Sequence, residues 1–188
     1  DITGSFSFIY EYLPEDSKVY NYQFGVVGSY FHYAPQLGYR TLTPFATMRF
    51  KRKSLRDVGG SALYLNYVDV KRDLDPEAEF PNPESNKYNV FNLGYSYSKP
   101  EILQDIRHNA NLEFGGKFSK LTYDFRYRRL TDKNRQFDFR IFAGAFLHNN
   151  TESDFFSFGL SRQTDSLFRY NYLGRSEGSG FFSQQLII

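Results

Sequence analysis

Large apolar residues occupy every second position through much of this chain. Phe6, Phe8, Tyr10 and Tyr12 alternate with Ser5, Ser7, Ile9 and Glu11, and Tyr20, Tyr22 and Phe24 with Asn21, Gln23 and Gly25. The rhythm returns in Phe91, Leu93, Tyr95 and Tyr97, in Leu121, Tyr123, Phe125 and Tyr127, and in Phe137, Phe139 and Ile141. Successive side chains of a strand point to opposite faces, so a period of two predicts strands with one aromatic and one polar face. The polar positions carry charge: Asp124, Arg126 and Arg128 interleave one aromatic run, Asp138 and Arg140 another.

The pattern predicts about ten strands, near residues 4–13, 18–31, 39–51, 60–71, 88–98, 108–118, 121–130, 136–146, 155–162 and 181–188. Most have about ten residues, the roughly 9–11 that a tilted strand needs to cross a bilayer, whereas soluble strands average about five or six. Turn chemistry separates them. Leu13 to Ser17 contains Pro14 and reads as a compact hairpin loop. Ser119 and Lys120 read as a two-residue hairpin, and Thr131 to Arg135 as a polar connection. Arg72 to Lys87, with three prolines and five acidic residues, reads as an exposed loop. Gly115 and Gly116 read as a bend or bulge inside a strand, and Gln163 to Gly180 as a long loop or a loop with an extra short strand. In that loop, the stretch from Gly174 to Gly180 reads as a mobile outer loop, an inward-folded plug or a partner-binding segment. The fold class that follows is all-β: an antiparallel transmembrane β-barrel of about ten strands, or a portion of a larger barrel, with 1–188 as one domain.

Composition supports this without deciding it. Aromatic residues make up 20 % of the 188, all Tyr and Phe with no Trp. Mean hydropathy is nevertheless negative, as suits a barrel whose interior is as polar as its exterior is apolar. Cysteine is absent, which excludes a disulfide framework and a thiol nucleophile. The net charge of +2 is scattered over both signs and lacks the basic footprint of a nucleic-acid binder. The one dense basic run, Lys51, Arg52, Lys53 and Arg56, reads as a solvated turn. No stretch reaches the roughly 18 apolar residues of a membrane helix. The chain begins at Asp1 without Met and ends on Leu186, Ile187 and Ile188, which predicts a piece of a longer protein.

If the aromatic faces meet lipid, Phe6, Phe8, Tyr10, Tyr12, Phe91, Tyr95, Tyr123, Phe125, Phe137 and Phe139 face the bilayer. Glu11, Arg49, Glu113, Asp124, Arg126, Arg128, Asp138 and Arg140 then line the lumen. Charges taken out of water must be paired, so Asp124, Arg126 and Arg128 are expected beside Asp138 and Arg140 across the intervening hairpin. Such a set either fills a narrow barrel with salt bridges or forms a selectivity ring. His32, His108 and His148 fall at strand ends or in loops, with no HExxH and no helical pair for zinc. Neither a Gly-x-Ser-x-Gly elbow nor a dinucleotide fingerprint is present. The residues therefore nominate no catalytic, cofactor or metal site.

From about Phe45 onward the chain resembles a known family. The resemblance rests on Tyr88 to Leu93, Asn134 to Gln136, Phe142 to Leu147, Asp154 to Phe158, Tyr172 to Glu177 and Phe182 to Gln185. These segments are similar to the C-terminal outer-membrane β-barrel region of large Bacteroidota proteins of the gluzincin (HExxH zinc) aminopeptidase type. The resemblance implies a parent with a zinc-peptidase domain on the periplasmic or surface side and a barrel in the bacterial outer membrane. The zinc motif is missing here, so no catalytic residue carries over. The expected role is a non-catalytic membrane anchor or pore, whose partners are the lipid bilayer, remaining barrel strands and such a peptidase domain. Two rivals stand beside it: a small-solute or peptide channel or surface-complex subunit with no enzyme attached, and a soluble β-sandwich or lipocalin-like ligand-binding protein whose aromatic face is its core.

Overall fold

The computed structural model describes residues 2–15, 18–32, 37–52, 58–74, 86–131 and 135–152, together with Phe156, Phe158, Ser166 and Leu167. Eight strands follow one another: β1 (Ile2–Tyr12), β2 (Val19–His32), β3 (Leu37–Phe50), β4 (Gly60–Leu74), β5 (Lys87–Pro100), β6 (Gln104–Gly115), β7 (Phe118–Thr131) and β8 (Arg135–Asn149). Each pairs antiparallel with its sequence neighbours, giving one eight-stranded sheet in the order β1 to β8. The sheet is not closed: among the described residues β1 and β8 are its two edges.

Eight of the ten expected strands are present, and they are long, 11 to 15 residues each. The expected ninth is not a strand where it is described. Phe156 sits in a single 3-10 turn and Phe158 in irregular chain, and the rest of 155–162, like 174–188, lies outside the described residues. The hairpin placed at Ser119 and Lys120 is also corrected. The turn is Gly116 and Lys117, and both Ser119 and Lys120 belong to β7. Gly115 ends β6, so the glycine pair marks a chain reversal rather than a bend within a strand. The irregularity expected there lies in the β7–β8 pairing instead, where the register shifts between Ser119 and Lys120. β6 accordingly starts at Gln104, which places His108 well inside it and not at its end. Lys51 and Arg52 are exposed just beyond β3, while Lys53 and Arg56 of the same basic run lie outside the described residues.

The registers keep the two faces separate over the whole sheet. One line of directly opposed residues runs Tyr12, Tyr22, Met48, Leu63, Tyr95, Ala110, Tyr123 and Ala143. The neighbouring line, one residue along and on the opposite face, runs Glu11, Gln23, Thr47, Tyr64, Gly94, Asn111, Thr122 and Gly144. Burial is the reverse of the usual pattern for a water-soluble sheet. Phe6 is 61 % exposed and Phe8 71 %, with Tyr95, Phe137 and Phe139 also exposed, while Asn92 is 1 % exposed and Glu113 2 %.

The polar face is packed against in two ways. Aromatic rings lie over glycines: Phe45 over Gly25 and Tyr64 over Gly94, each in space a Cβ would take. At one end of the face Val68, Val70, Val90 and Phe118 form a small core with Phe156 and Leu167, which follow β8 in the chain. Rings close that core, Phe156 standing 5.1 Å from both Tyr88 and Phe118. The Tyr88 hydroxyl donates to the carbonyl of Ser166.

A methyl at Gly25 would sit 2.4 Å from the Phe8 carbonyl oxygen, which is backbone and has nowhere to move, whereas Gly60 has nothing within 4 Å. Gly25→Ala is therefore expected to lose about 1–3 kcal/mol in denaturant unfolding, and Gly60→Ala to stay within about 0.5 kcal/mol of the parent. Equal losses would show that the β1–β2 register is not the one described.

Candidate functional site

The polar face holds two groups of charges. The first is buried. Asn66, Asn92, Glu113 and Lys120 stand directly opposite one another on β4, β5, β6 and β7, so the register alone assembles them. Lys120 Nζ lies 3.0 Å from Glu113 Oε2, with the two side chains 4 % and 2 % exposed. Asn111, two residues along β6, donates through Nδ2 to Glu113 Oε1 at 2.8 Å. The Tyr64 hydroxyl donates in turn to Asn111 Oδ1 at 3.4 Å, reaching it across Gly94. Aromatic rings flank the ammonium group: its nitrogen is 5.8 Å from the Phe118 ring centre and 5.9 Å from that of Phe158. Phe158 lies over Gly144 beside Phe142 and Phe146. Phe158, which follows β8, thus helps Phe118 to shield the ammonium group from water.

The second group is open to solvent at the other end of the face. Arg107, Arg126 and Arg140 stand opposite one another on β6, β7 and β8. Like charges directly opposed are unfavourable, and carboxylates on the adjoining lines relieve them. Asp124 accepts from both Arg126, at 3.0 Å, and Arg140, at 2.7 Å. Asp105 accepts from Arg107 at 2.6 Å. Arg128, opposite Asp105 on one side and Asp138 on the other, donates to Asp138 at 3.1 Å. Gln136 donates to the second oxygen of Asp138. Planar guanidinium forks suit this two-sided pairing, which fixes the side chains while leaving N–H groups facing solvent.

Of the residues expected in the charge network, Asp124, Arg126, Arg128, Asp138 and Arg140 come together as the alternation implied. Glu113 forms a separate, buried pair. Glu11 joins neither group; it accepts from Asn21 and from Gln23 on β2. Arg49 is on the same face and exposed, opposite Asn21 and Ala62, and takes part in none of these ion pairs. Sequence reasoning missed Lys120, placed in a turn, and Asp105 and Arg107, placed before the start of β6. Extending the period of two back from Glu113 through Asn111, Asn109 and Arg107 to Asp105 would have found the last two. Among the described residues no three His, Asp or Glu side chains are grouped to hold a metal.

On the other face the residues expected to meet lipid share one side of the sheet. Phe6, Phe8, Tyr10, Tyr12, Phe91, Tyr95, Tyr123, Phe137 and Phe139 are exposed, and Phe125 is half-buried between His108 and Phe139. His108 interrupts this face as a polar group, its Nδ1 2.7 Å from the Tyr123 hydroxyl. The apolar band has polar margins. At one margin stand Arg40, Asp69, Asn89 and Ser119; at the other, Ser61, Lys99, Gln104, Arg129 and Arg135. Both margins slide in the same sense across the sheet, by two residues or by none at each step, Asp69 facing Asn89 and Gln104 facing Arg129 directly. Ser61 is opposite Tyr97, two residues short of Lys99; Lys99 is opposite Ile106, two short of Gln104. Comparison of the chain with protein families, curated proteins and solved structures returns no match.

Lys120→Met would leave Glu113 charged with no counter-ion in a site that water hardly reaches. A loss of about 3–5 kcal/mol is expected, and most of it should return in Glu113→Leu/Lys120→Met, because an apolar pair of similar volume carries no desolvation cost. The check is a double-mutant cycle by denaturant unfolding in micelles; purely additive losses would mean the two side chains do not interact.

Proposed function

We propose that this chain is a membrane-spanning portion of an outer-membrane β-barrel and that it works as an anchor, not as an enzyme. The observation that carries this reading is the inverted burial: an apolar, largely aromatic face open across the eight strands and broken by His108, with an ion pair buried on the other. Water would penalise that arrangement over the whole sheet, whereas hydrocarbon favours it.

The band's margins add a second support. On the aromatic face the polar margin moves six residues between Ser61 of β4 and Arg135 of β8, and four between Arg40 of β3 and Ser119 of β7. A slide of about 1–1.5 residues per strand, at about 3.3 Å per residue and about 4.8 Å between strands, is a tilt of roughly 35–46°. Strands of outer-membrane barrels tilt by about 35–45°. On β5 the band lies between Asn89 and Lys99, roughly 33 Å along the strand, which a tilt of about 40° reduces to about 25 Å, the height of the apolar band of such barrels. A level slab of hydrocarbon accounts for margins that slide together; a soluble core needs no such level.

Lipid does not tolerate unpaired strand edges, so β1 and β8 need further strands to close the barrel. The resemblance to gluzincin-type aminopeptidases adds the expectation that such a barrel holds a zinc-peptidase domain at the bacterial outer membrane. A channel is the second reading, favoured by the Arg107, Arg126 and Arg140 row, which resembles an anion-selective lining. Against it stands the packing of Phe156, Phe158 and Leu167 over one end of the same face.

Phe139→Arg is expected to cost about 2 kcal/mol or more in unfolding from micelles, and Arg128→Ser on the other face less than about 1 kcal/mol. A monodisperse chain without detergent, indifferent to Phe139→Arg, would hand the case to a soluble β-sandwich. In planar bilayers no steady unitary conductance is expected, and anion-selective steps would establish the channel.

A further inference from the structure

Three cations stand in one row on the aromatic face, just past the end of the band. Arg40 of β3 is directly opposite Lys71 of β4, and Lys71 directly opposite Lys87 of β5. All three are exposed, and none takes part in an ion pair with a described residue. Opposed like charges weaken a sheet, and on the other face the opposed arginines are interleaved with carboxylates that bind them. Here the same-face carboxylates of β4 on the adjoining lines are Asp69, opposite Leu42 and Asn89, which pairs with none of the three, and Asp73, whose side chain lies outside the described residues. Among the described residues the row therefore lacks the counter-charge that its counterpart on the polar face has.

Next to Arg40 the surface is hollow. An open groove of about 650 Å³ runs over β1, β2 and β3, lined by Phe6, Gly28, Tyr30, Arg40, Leu42 and Asp69 among others. The Phe6 ring rests over Gly28, in the space a side chain there would take. The volume falls within the roughly 300–1,000 Å³ usual for small-ligand sites. Arg40 belongs to both features, so an apolar groove opens onto a row of positive charge at the level where the band ends.

We infer that this margin binds an anionic phospholipid, with its phosphate on Arg40, Lys71 and Lys87 and an acyl chain in the groove between Phe6 and Leu42. The inference rests on the membrane reading and refines it. A guanidinium and two ammonium groups give charge-assisted hydrogen bonds to phosphate oxygens, and the lipid supplies a counter-charge that no described residue gives them. Basic side chains near a bilayer surface attract acidic lipid in the same way.

The test uses the full chain in detergent micelles doped with phosphatidylglycerol or, separately, phosphatidylcholine at equal mole fraction. Lipid retained after washing with detergent is measured by phosphorus assay. Preferential retention of phosphatidylglycerol, weakening as salt rises, is expected. R40Q/K71Q/K87Q should cut that retention roughly fivefold or more, the factor expected from one such charge alone, and leave phosphatidylcholine retention unchanged. R40K/K71R/K87R, which keeps the charges, should restore the preference. Equal retention of the two lipids by the parent, or no change in the glutamine variant, overturns the site. A chain that stays monodisperse without detergent overturns the membrane reading instead, so the two failures are told apart by different measurements.

Discussion

Register is the constraint on which everything else here depends. A strand offers alternate residues to alternate faces, so slipping one pairing by one residue would move every arginine of that strand among the aromatic rings. Seven successive pairings avoid this, and the two register shifts, between Val19 and Asn21 and between Ser119 and Lys120, lie near strand ends. Both the apolar band and the ion pairs are products of that one alignment. Asn66, Asn92, Glu113 and Lys120 come from four strands and meet only because each is opposite the next.

The polar face is not uniform, and its gradient has a physical origin. Where Phe156, Phe158 and Leu167 return over the sheet, the charges are few, buried and paired one to one. Where nothing described covers it, arginines outnumber carboxylates, and every arginine that pairs there keeps part of its side chain exposed. An unshared buried charge costs several kcal/mol, so the covered end tolerates only Glu113 with Lys120, whereas the open end lets water complete what the carboxylates leave undone.

Much of this was legible in the alternation. A period of two fixes which side of a strand each residue takes, and the Asp124–Arg140 and Arg128–Asp138 contacts follow once a hairpin joins the two strands. Two kinds of fact were not legible. Turn position was one: Gly116–Lys117 and Ser119–Lys120 are both plausible two-residue loops, and only the pairing of Phe114 with Ser119 decides between them. That choice moved Lys120 from a turn into the buried row. Long-range cover was the other. Phe156 and Phe158 alternate as strand residues do, yet their rings fill space above Gly144 and beside Phe118, which a local pattern cannot reveal. Closure of the sheet belongs to the same class, because alternation describes faces and is silent about edges.

Every pairing in this sheet joins strands adjacent in sequence. Loop-closure entropy is therefore small at each step, and the sheet can grow by adding one hairpin strand at a time, without waiting for a distant partner. The non-local event left among the described residues is the return of Phe156 and Leu167 over Val68, Val90 and Phe118. In a folding experiment these two kinds of step separate: rapid, nearly sequence-local zippering that sets the secondary structure, followed by a slower docking of those rings, which must wait until the strands they cover are in place.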